Sequence, residues 1–289
     1  MIGSFYELIA QHSKDFTESQ QKIAEYVLRD PSQVAFKNAR ELAEAVGTSE
    51  SSVIRFAYSA GFDGYRAFQD AAQQIVNSTL TMQQRYLQYR PRLEGNIVEE
   101  TVRADIHNLQ RLERTLNPDD VKAAAQRIAR ARRCYVVGFR AAAAISLLLS
   151  GSINQLCHNA IDLSIDAGHA VDLLVGAGPE DVLVAISFRR YGRRTQRIAQ
   201  FCHQRGVFVI AITDSLFSPL RSTADILLAA DIESTSSIYS HVGPLCIKNC
   251  LMLALNQEVG DRAPALVSDW EETYRHFDLL GGLEADKDR

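Results

Sequence analysis

Residues 39–60 read ARELAEAVGTSESSVIRFAYSA, and the nature of the N-terminal third turns on them. Asn38 offers a cap to a helix over 39–46, and Gly47 ends that helix because glycine enters turn conformations at no steric cost. Ser49 then starts a second helix. Two helices that cross steeply at a tight turn need a small residue at the contact, here Ala43. They also need apolar side chains on the inward faces, here Leu42, Val46, Val53 and Phe56. Glu50, Ser51, Ser52 and Arg55 are left on the outer face, near the start of the second helix. That is where the recognition helix of a helix-turn-helix presents side chains to the DNA major groove. Arg55 suits a bidentate pair with guanine, and the serines, Ser49 included, suit phosphates or bases. Glu50 faces phosphates unfavourably but can accept from cytosine. The same pattern also fits a plain helical hairpin with a solvated polar face.

Outward from this segment, residues 1 to about 90 read as helices throughout. Thr17 with Gln20 forms a capping box ahead of Ile23, Val27 and Leu28. Asp30-Pro31 stops that helix, and Ser32 to Phe36 add a short turn. Gly64 to Tyr89 reads as one long helix closed by Pro91. Residues 96–131 form two more helices split at Asn117-Pro118-Asp119-Asp120, with Pro118 in the first helical position and two acids in the first turn. The expected organisation is a helical domain over 1–82, a semi-rigid connection over 83–95 and a second domain over 96–289.

From Cys134 the period changes. Short apolar runs alternate with helical stretches: Cys134–Val137, Ile161–Ile165, Val182–Ile186, Val207–Ile212 and Ile226–Leu228. They are rich in Val and Ile and apolar on both faces, as in a parallel sheet covered by helices on both sides. The expected fold is an all-α helix-turn-helix N-terminal domain followed by an α/β doubly wound parallel-sheet domain, with a helical tail over 262–280.

Composition sets outer bounds. The chain has 289 residues, 46% hydrophobic and 23% charged, which excludes disordered, collagen-like and disulfide-scaffold classes. No run approaches the roughly 18 apolar residues of a membrane span, and no signal peptide is visible. Five cysteines form no CxxC pair, so reduced thiols and a cytoplasmic location are expected. Cys246 and Cys250, four apart on one helix face, read as small hydrophobes. Residues 1–90 carry a net −1, 91–133 a net +2 and 134–289 a net −5, making the −4 of the whole. Charge alone nominates no nucleic-acid binder.

The order FTESQQKIAEYVLRDP (16–31), ELAEAVGTSESSVIRF (41–56) and GFDGYRAF (61–68) resembles the N-terminal domain of RpiR-family transcriptional regulators. The resemblance implies DNA binding and a following SIS (sugar isomerase) domain, a doubly wound fold that senses phosphosugars. In such domains the loop after the first strand reads G-x-G-x-S, and the loop after the third strand holds Ser/Thr hydroxyls that clasp a sugar phosphate. Here Gly138 and Ser187 remain, and Thr195 matches a late threonine. Arg140 replaces the second glycine, Ala142 the serine, and Arg189 an expected hydroxyl. Enzymatic SIS isomerases carry a catalytic Glu near Glu233.

Ligands of open parallel sheets bind beyond the strands' carboxyl ends, and loops that open helices supply free amides suited to an anion. The candidate effector residues are therefore Gly138, Arg140, Ser187, Arg189, Arg190, Thr195, Glu233, Ser237 and His241. Arg193, Arg194 and Arg197, further along the helix, read as solvated or interfacial. The resulting expectation is a repressor that binds a palindromic double-stranded DNA operator as a homodimer or homotetramer and responds to a small anionic metabolite. Neither metal nor cofactor is expected. The rival is a SIS-type sugar-phosphate isomerase using Glu233 and His241 as acid/base groups.

Overall fold

Helix starts in the first third are set by side chains. Thr17 accepts from the Gln20 amide while the Gln20 side chain accepts from the Thr17 amide at 2.9 Å, and Asn38 and Glu41 repeat the arrangement at 2.9 and 2.8 Å. Gly47 takes φ +75°, and Ser49 caps the helix beyond it. These signals yield α1 (Gly3–His12), α2 (Glu18–Arg29), α3 (Ser32–Ala35), α4 (Ala39–Val46), α5 (Glu50–Ser59), α6 (Tyr65–Thr79) and α7 (Met82–Tyr89). The computed structural model describes residues 3–79, 82–89, 96–164 and 167–277. Of the single helix expected over 64–89, Tyr65–Thr79 and Met82–Tyr89 are helical, and residues 80–81 between them lie outside the described set. Five phenylalanines, Phe5, Phe16, Phe56, Phe62 and Phe68, fill the core with ring centroids 5.1–5.8 Å apart, tilted, stacked or edge-on.

The chain divides into two compact units, Met1–Leu93 and Glu94–Arg289. The second opens with α8 (Ile97–Thr115) and α9 (Pro118–Arg130), capped by Asn96 and Asn117. There follow β1 (Cys134–Gly138), α10 (Ala141–Asn154), β2 (Ala160–Asp162), α11 (Ala167–Leu173), β3 (Val182–Ile186), α12 (Arg193–Gln204), β4 (Phe208–Thr213), β5 (Ile226–Ala229), α13 (Val242–Val259) and α14 (Ala263–His276).

All strand pairs are parallel, in the order β2-β1-β3-β4-β5. Strand residues alternate between two buried layers, as the period of two requires. Val136, Val184, Ile186, Ile210 and Ile212 pack with Ile128 of α9, Ile145 and Leu149 of α10, and Ile247 and Leu251 of α13. Tyr135, Val137, Leu183, Ala185, Val209 and Ala211 pack on the other side with Ala170, Ala199 and Cys202. Each fully buried Ile or Leu contributes about 1.5–3 kcal/mol, which explains a sheet apolar on both faces.

β2 is shorter than the expected 161–165. The Asp162 carboxylate accepts from the Ser164 amide at 3.1 Å and turns the chain out of the ladder. Cys246 and Cys250 are partly rather than fully buried, and both line an apolar groove of about 610 Å³ formed by α8, α9 and α13. Among the described residues no helix is long and apolar enough to cross a membrane.

The chain leaves β1 to form β2 on one side, then returns to form β3 on the other. The connections therefore diverge between β1 and β3, the switch point at which a doubly wound sheet opens a crevice. Gly138 and Ile186, the last residues of these strands, are paired neighbours.

Candidate functional sites

The outer face of α5 is built as the sequence reading expects. Val53 and Phe56 are fully buried, while Glu50, Ser51 and Arg55 are exposed and Ser52 is half-buried. Ser49 is first of all a cap: its Oγ accepts from the Ser52 amide at 3.2 Å and lies 3.0 and 2.8 Å from the hydroxyls of Ser51 and Ser52. The turn is tied to α2 by the Thr48 and Ser19 hydroxyls, 2.7 Å apart. Among the described residues no carboxylate pairs with Arg55. The result is a braced helix start carrying three short polar side chains and one unpaired guanidinium.

In the second unit three loops meet at the crevice. The first follows β1. A Cβ on Gly138 would lie 2.6 Å from the Ala142 carbonyl oxygen, so only glycine lets α10 begin so close to the strand. The Gly138 amide donates to Ser164 Oγ at 3.0 Å. Arg140 is the N-cap of α10, with φ +62° and ψ −126°, and its side chain is exposed and does not cap the helix. That backbone conformation belongs to glycine; an L-residue held there stores about 1–3 kcal/mol.

The second loop follows β3. Ser187 Oγ accepts from the Gly192 amide at 3.3 Å and closes the loop on itself. Arg190 is exposed and also holds a positive φ, +60°. α12 begins at Gly192 without a side-chain cap, and Thr195 is buried in its first turn. The Arg194 guanidinium stands 6.0 Å from the ring centroid of Phe139, which links this loop to the first.

Arg189 corrects the sequence reading. Its side chain is only 3% exposed. Its amide and Nε donate to Asp214 at 3.1 and 2.6 Å, and its Nη2 donates to Glu233 at 2.8 Å. Burial would pull the guanidinium down, but Asp214 and Glu233 hold it above its ordinary value, as a permanent cation. Burial pushes the Asp214 carboxyl up against the opposing pull of Arg189. Burial and Asp214 also raise the Tyr191 phenol, which stays protonated and hydrogen-bonds Asp214. Arg189 is therefore an internal tie between the ends of β3, β4 and β5 rather than an open ligand for an anion.

The third loop, residues 231–241, carries Glu233, Ser237 and His241. Glu233 is held by Arg189 yet is 46% exposed, and Ser237 is half-buried. His241 is the N-cap residue of α13 and gives it no side-chain hydrogen bond. Its ring sits edge-on to Phe188 at 5.5 Å, and burial lowers its pKa. The structure thus gathers Gly138, Arg140, Ser187, Arg190, Thr195, Glu233, Ser237 and His241 on loops that share one sheet edge. Asp214 and Tyr191 were missed from sequence. Asp214 directly follows β4, so the rule that nominated the other strand ends also applies to it.

Residues 3–77 match the helix-turn-helix domain of the rpiR family, and residues 127–254 match the SIS domain. An HTH-type transcriptional regulator of Caldanaerobacter subterraneus subsp. tengcongensis is 28% identical over 87% of this chain and 90% of its own. The HTH-type transcriptional regulator HexR of Pseudomonas aeruginosa is 22% identical over 82% of each. The sugar isomerase domain of an RpiR transcription factor from Sphaerobacter thermophilus is 27% identical, with a TM-score of 0.59, over 62% of this chain and 99% of that one. The Vibrio vulnificus NanR protein, solved in complex with ManNAc-6P, shares the fold at a TM-score of 0.61 and 19% identity, over 96% of this chain and 100% of that one.

Proposed function

Because the chain belongs to the RpiR family of transcriptional regulators, a helix-turn-helix domain joined to a SIS domain, we propose that it is a repressor whose SIS crevice senses an anionic metabolite, a phosphosugar or a sugar acid. One observation carries the ligand class. α10 and α12 begin on either side of the switch point without side-chain caps, and each start is flanked by an exposed arginine at positive φ, Arg140 or Arg190. Uncapped helix starts present free amides and the positive end of the helix dipole. Guanidinium adds a planar fork for phosphate or carboxylate. The ligand of NanR, a sugar phosphate, is of the same class. Gly138, Arg140, Ser187, Arg190 and Thr195 are assigned to the anion, and Glu233, Ser237 and His241 to the rest of the molecule.

Ser51, Ser52 and Arg55, with Glu50 beside them and Ser49 bracing the turn, are assigned to the operator. Two heads on one scaffold are needed, because a head of net charge −1 has little non-specific affinity to draw on. A palindromic site and a homodimer or homotetramer joined through residues 134–289 follow from that argument. The isomerase reading is disfavoured because Glu233, its candidate base, is engaged by Arg189 at 2.8 Å.

The test is a thermal-shift screen of hexose 6-phosphates, N-acetylhexosamine 6-phosphates and sugar acids, with calorimetry and turnover measured on each hit. The expected result is binding without turnover, with affinity cut at least tenfold in Arg140→Ala. Wild-type affinity in both Arg140→Ala and Arg190→Ala would remove the arginines from the site, and turnover would restore the isomerase.

A further inference from the structure

We propose that loop 231–241 is a strap that transmits the state of the crevice to α8, with Glu233 as its pivot. The proposal rests on the regulator reading above and adds the route by which its two sites communicate.

Glu233 faces two ways. Its carboxylate accepts from Arg189 at 2.8 Å at the crevice, while its main-chain oxygen accepts from Asn108 Nδ2 of α8 at 2.8 Å. Two further bonds fasten the same loop to the same helix. Arg111 Nε lies 2.7 Å from Asp231 Oδ2, and Ser240 Oγ donates to Asp105 Oδ1 at 2.5 Å. Asp105, Asn108 and Arg111 fall at three-residue spacing, so they line one side of α8 and grip the loop near both ends and beside Glu233. Asn108 is fully buried although polar, which indicates a built contact rather than a surface encounter.

The position of α8 gives the strap its meaning. It is the first helix of the second unit and begins at Ile97, three residues after Glu94, where that unit starts. α8 is thus the element of the second unit nearest in sequence to the first. A helix moves as a rigid element, and a coupling claim requires such an element biased from both ends. An anion settling at Arg140 and Arg190 competes for the field around Arg189 and so changes its hold on Glu233. The main-chain bond to Asn108 carries that change out of the crevice.

The experiment is a double-mutant cycle on the full chain with no ligand present. Glu233→Gln weakens the crevice end, and Asp105→Ala, Asn108→Ala and Arg111→Ala together cut all three side-chain ties between α8 and the loop. The first readout is amide hydrogen exchange in peptides covering 97–115, with α14 as the internal control. Glu233→Gln is expected to speed exchange in α8 about fivefold or more and leave α14 unchanged, and the effect should shrink to less than about twofold once the strap is cut. The second readout is affinity for duplex DNA selected from random sequence by the wild-type chain. Glu233→Gln should shift it about fivefold or more, and only when the strap is intact. Unchanged α8 exchange in Glu233→Gln, or an undiminished effect in the cut background, overturns the strap. Failure to select any DNA overturns the regulator reading instead, and the exchange arm still decides the strap.

Discussion

Helices at the two candidate sites begin in opposite ways. α2, α4 and α5 start on Thr17, Asn38 and Ser49, whose side-chain oxygens occupy otherwise free amides. α10, α12 and α13 follow the crevice loops and start on Arg140, Gly192 and His241, none of which supplies a side-chain cap. A helix start leaves about four N–H groups without partners, and a side-chain cap contributes about 1 kcal/mol. The head therefore stabilises itself and leaves only its outer face for DNA. The crevice leaves the starts of α10 and α12 without side-chain caps, while at α13 Ser240 Oγ accepts from the Val242 amide at 3.3 Å. It also holds Arg140 in a strained conformation, a cost that a bound anion can offset. In the first region stability and recognition sit on different groups; in the second the same groups carry both.

The strongest test of this contrast is Arg189, the exception within the crevice. Its buried pair with Asp214, joined by the half-exposed Glu233, is satisfied internally, so it should act as structure and not as a ligand. Arg189→Ala leaves Asp214 buried without its partner and is expected to cost about 3–5 kcal/mol. Trp270, the single tryptophan, lies in α14, so urea unfolding followed by its fluorescence reports the second unit. A loss under about 1 kcal/mol would show that water reaches the cluster and that Arg189 belongs with the open arginines.

Arg55→Ala is next in size and should show the reverse separation. Operator affinity should fall by about 1–3 kcal/mol, as for a bidentate base contact. Stability should stay within about 0.5 kcal/mol, because the side chain is exposed and unpaired. A titration comparing selected and random DNA decides the matter. Equal loss on both would reduce Arg55 to a phosphate contact, and no loss would remove it from the interface.

Two substitutions of about equal size and opposite sign sharpen the contrast at the helix starts. Ser49→Ala should destabilise the first unit by about 1 kcal/mol, since the α5 cap is lost. Arg140→Gly should stabilise the second unit by about 1 kcal/mol, because glycine relieves the positive φ, and should abolish the anion-dependent rise in Tm. Calorimetric melts of both variants, with and without 10 mM inorganic phosphate, check this. A destabilised Arg140→Gly would mean that the arginine side chain holds its loop in place.

The sequence displayed what repeats along a chain and concealed what meets across it. The capping boxes at Thr17 and Asn38 and the Val/Ile runs of β1 and β3 were legible because each signal spans only a few residues. The helical residues within Gly64 to Tyr89 were legible in the same way. The role of Arg189 was hidden: its partners lie 25 and 44 residues away, so a loop of arginines read as a uniform cationic surface. Strand order decides which loops are neighbours, and only the fold supplies it. The crevice loops were found from strand ends, yet the end of β4 was passed over, and with it Asp214.

The smallest effect expected is a pH dependence confined to the second unit. α2, α4 and α5 begin on Thr, Asn and Ser, which do not titrate near neutrality, whereas α13 begins on His241. Burial against Phe188 lowers the His241 pKa below its ordinary value of 6.5. The unfolded chain therefore takes up this proton at a higher pH than the folded one does. Stability contributed by the neutral ring is complete above the unfolded value and is lost as pH falls through about 6.5 toward the lower folded pKa. Urea midpoints followed by Trp270 fluorescence from pH 8 to 5.5 should decline over that window, and His241→Gln should flatten part of the decline. Because the ring is only half-buried, solvent moderates the effect and it should be the least of the four. A midpoint in the wild type that does not move from pH 8 to 5.5 would show the ring to be hydrated. The start of α13 would then behave, at least toward protons, like the neutral caps of the head.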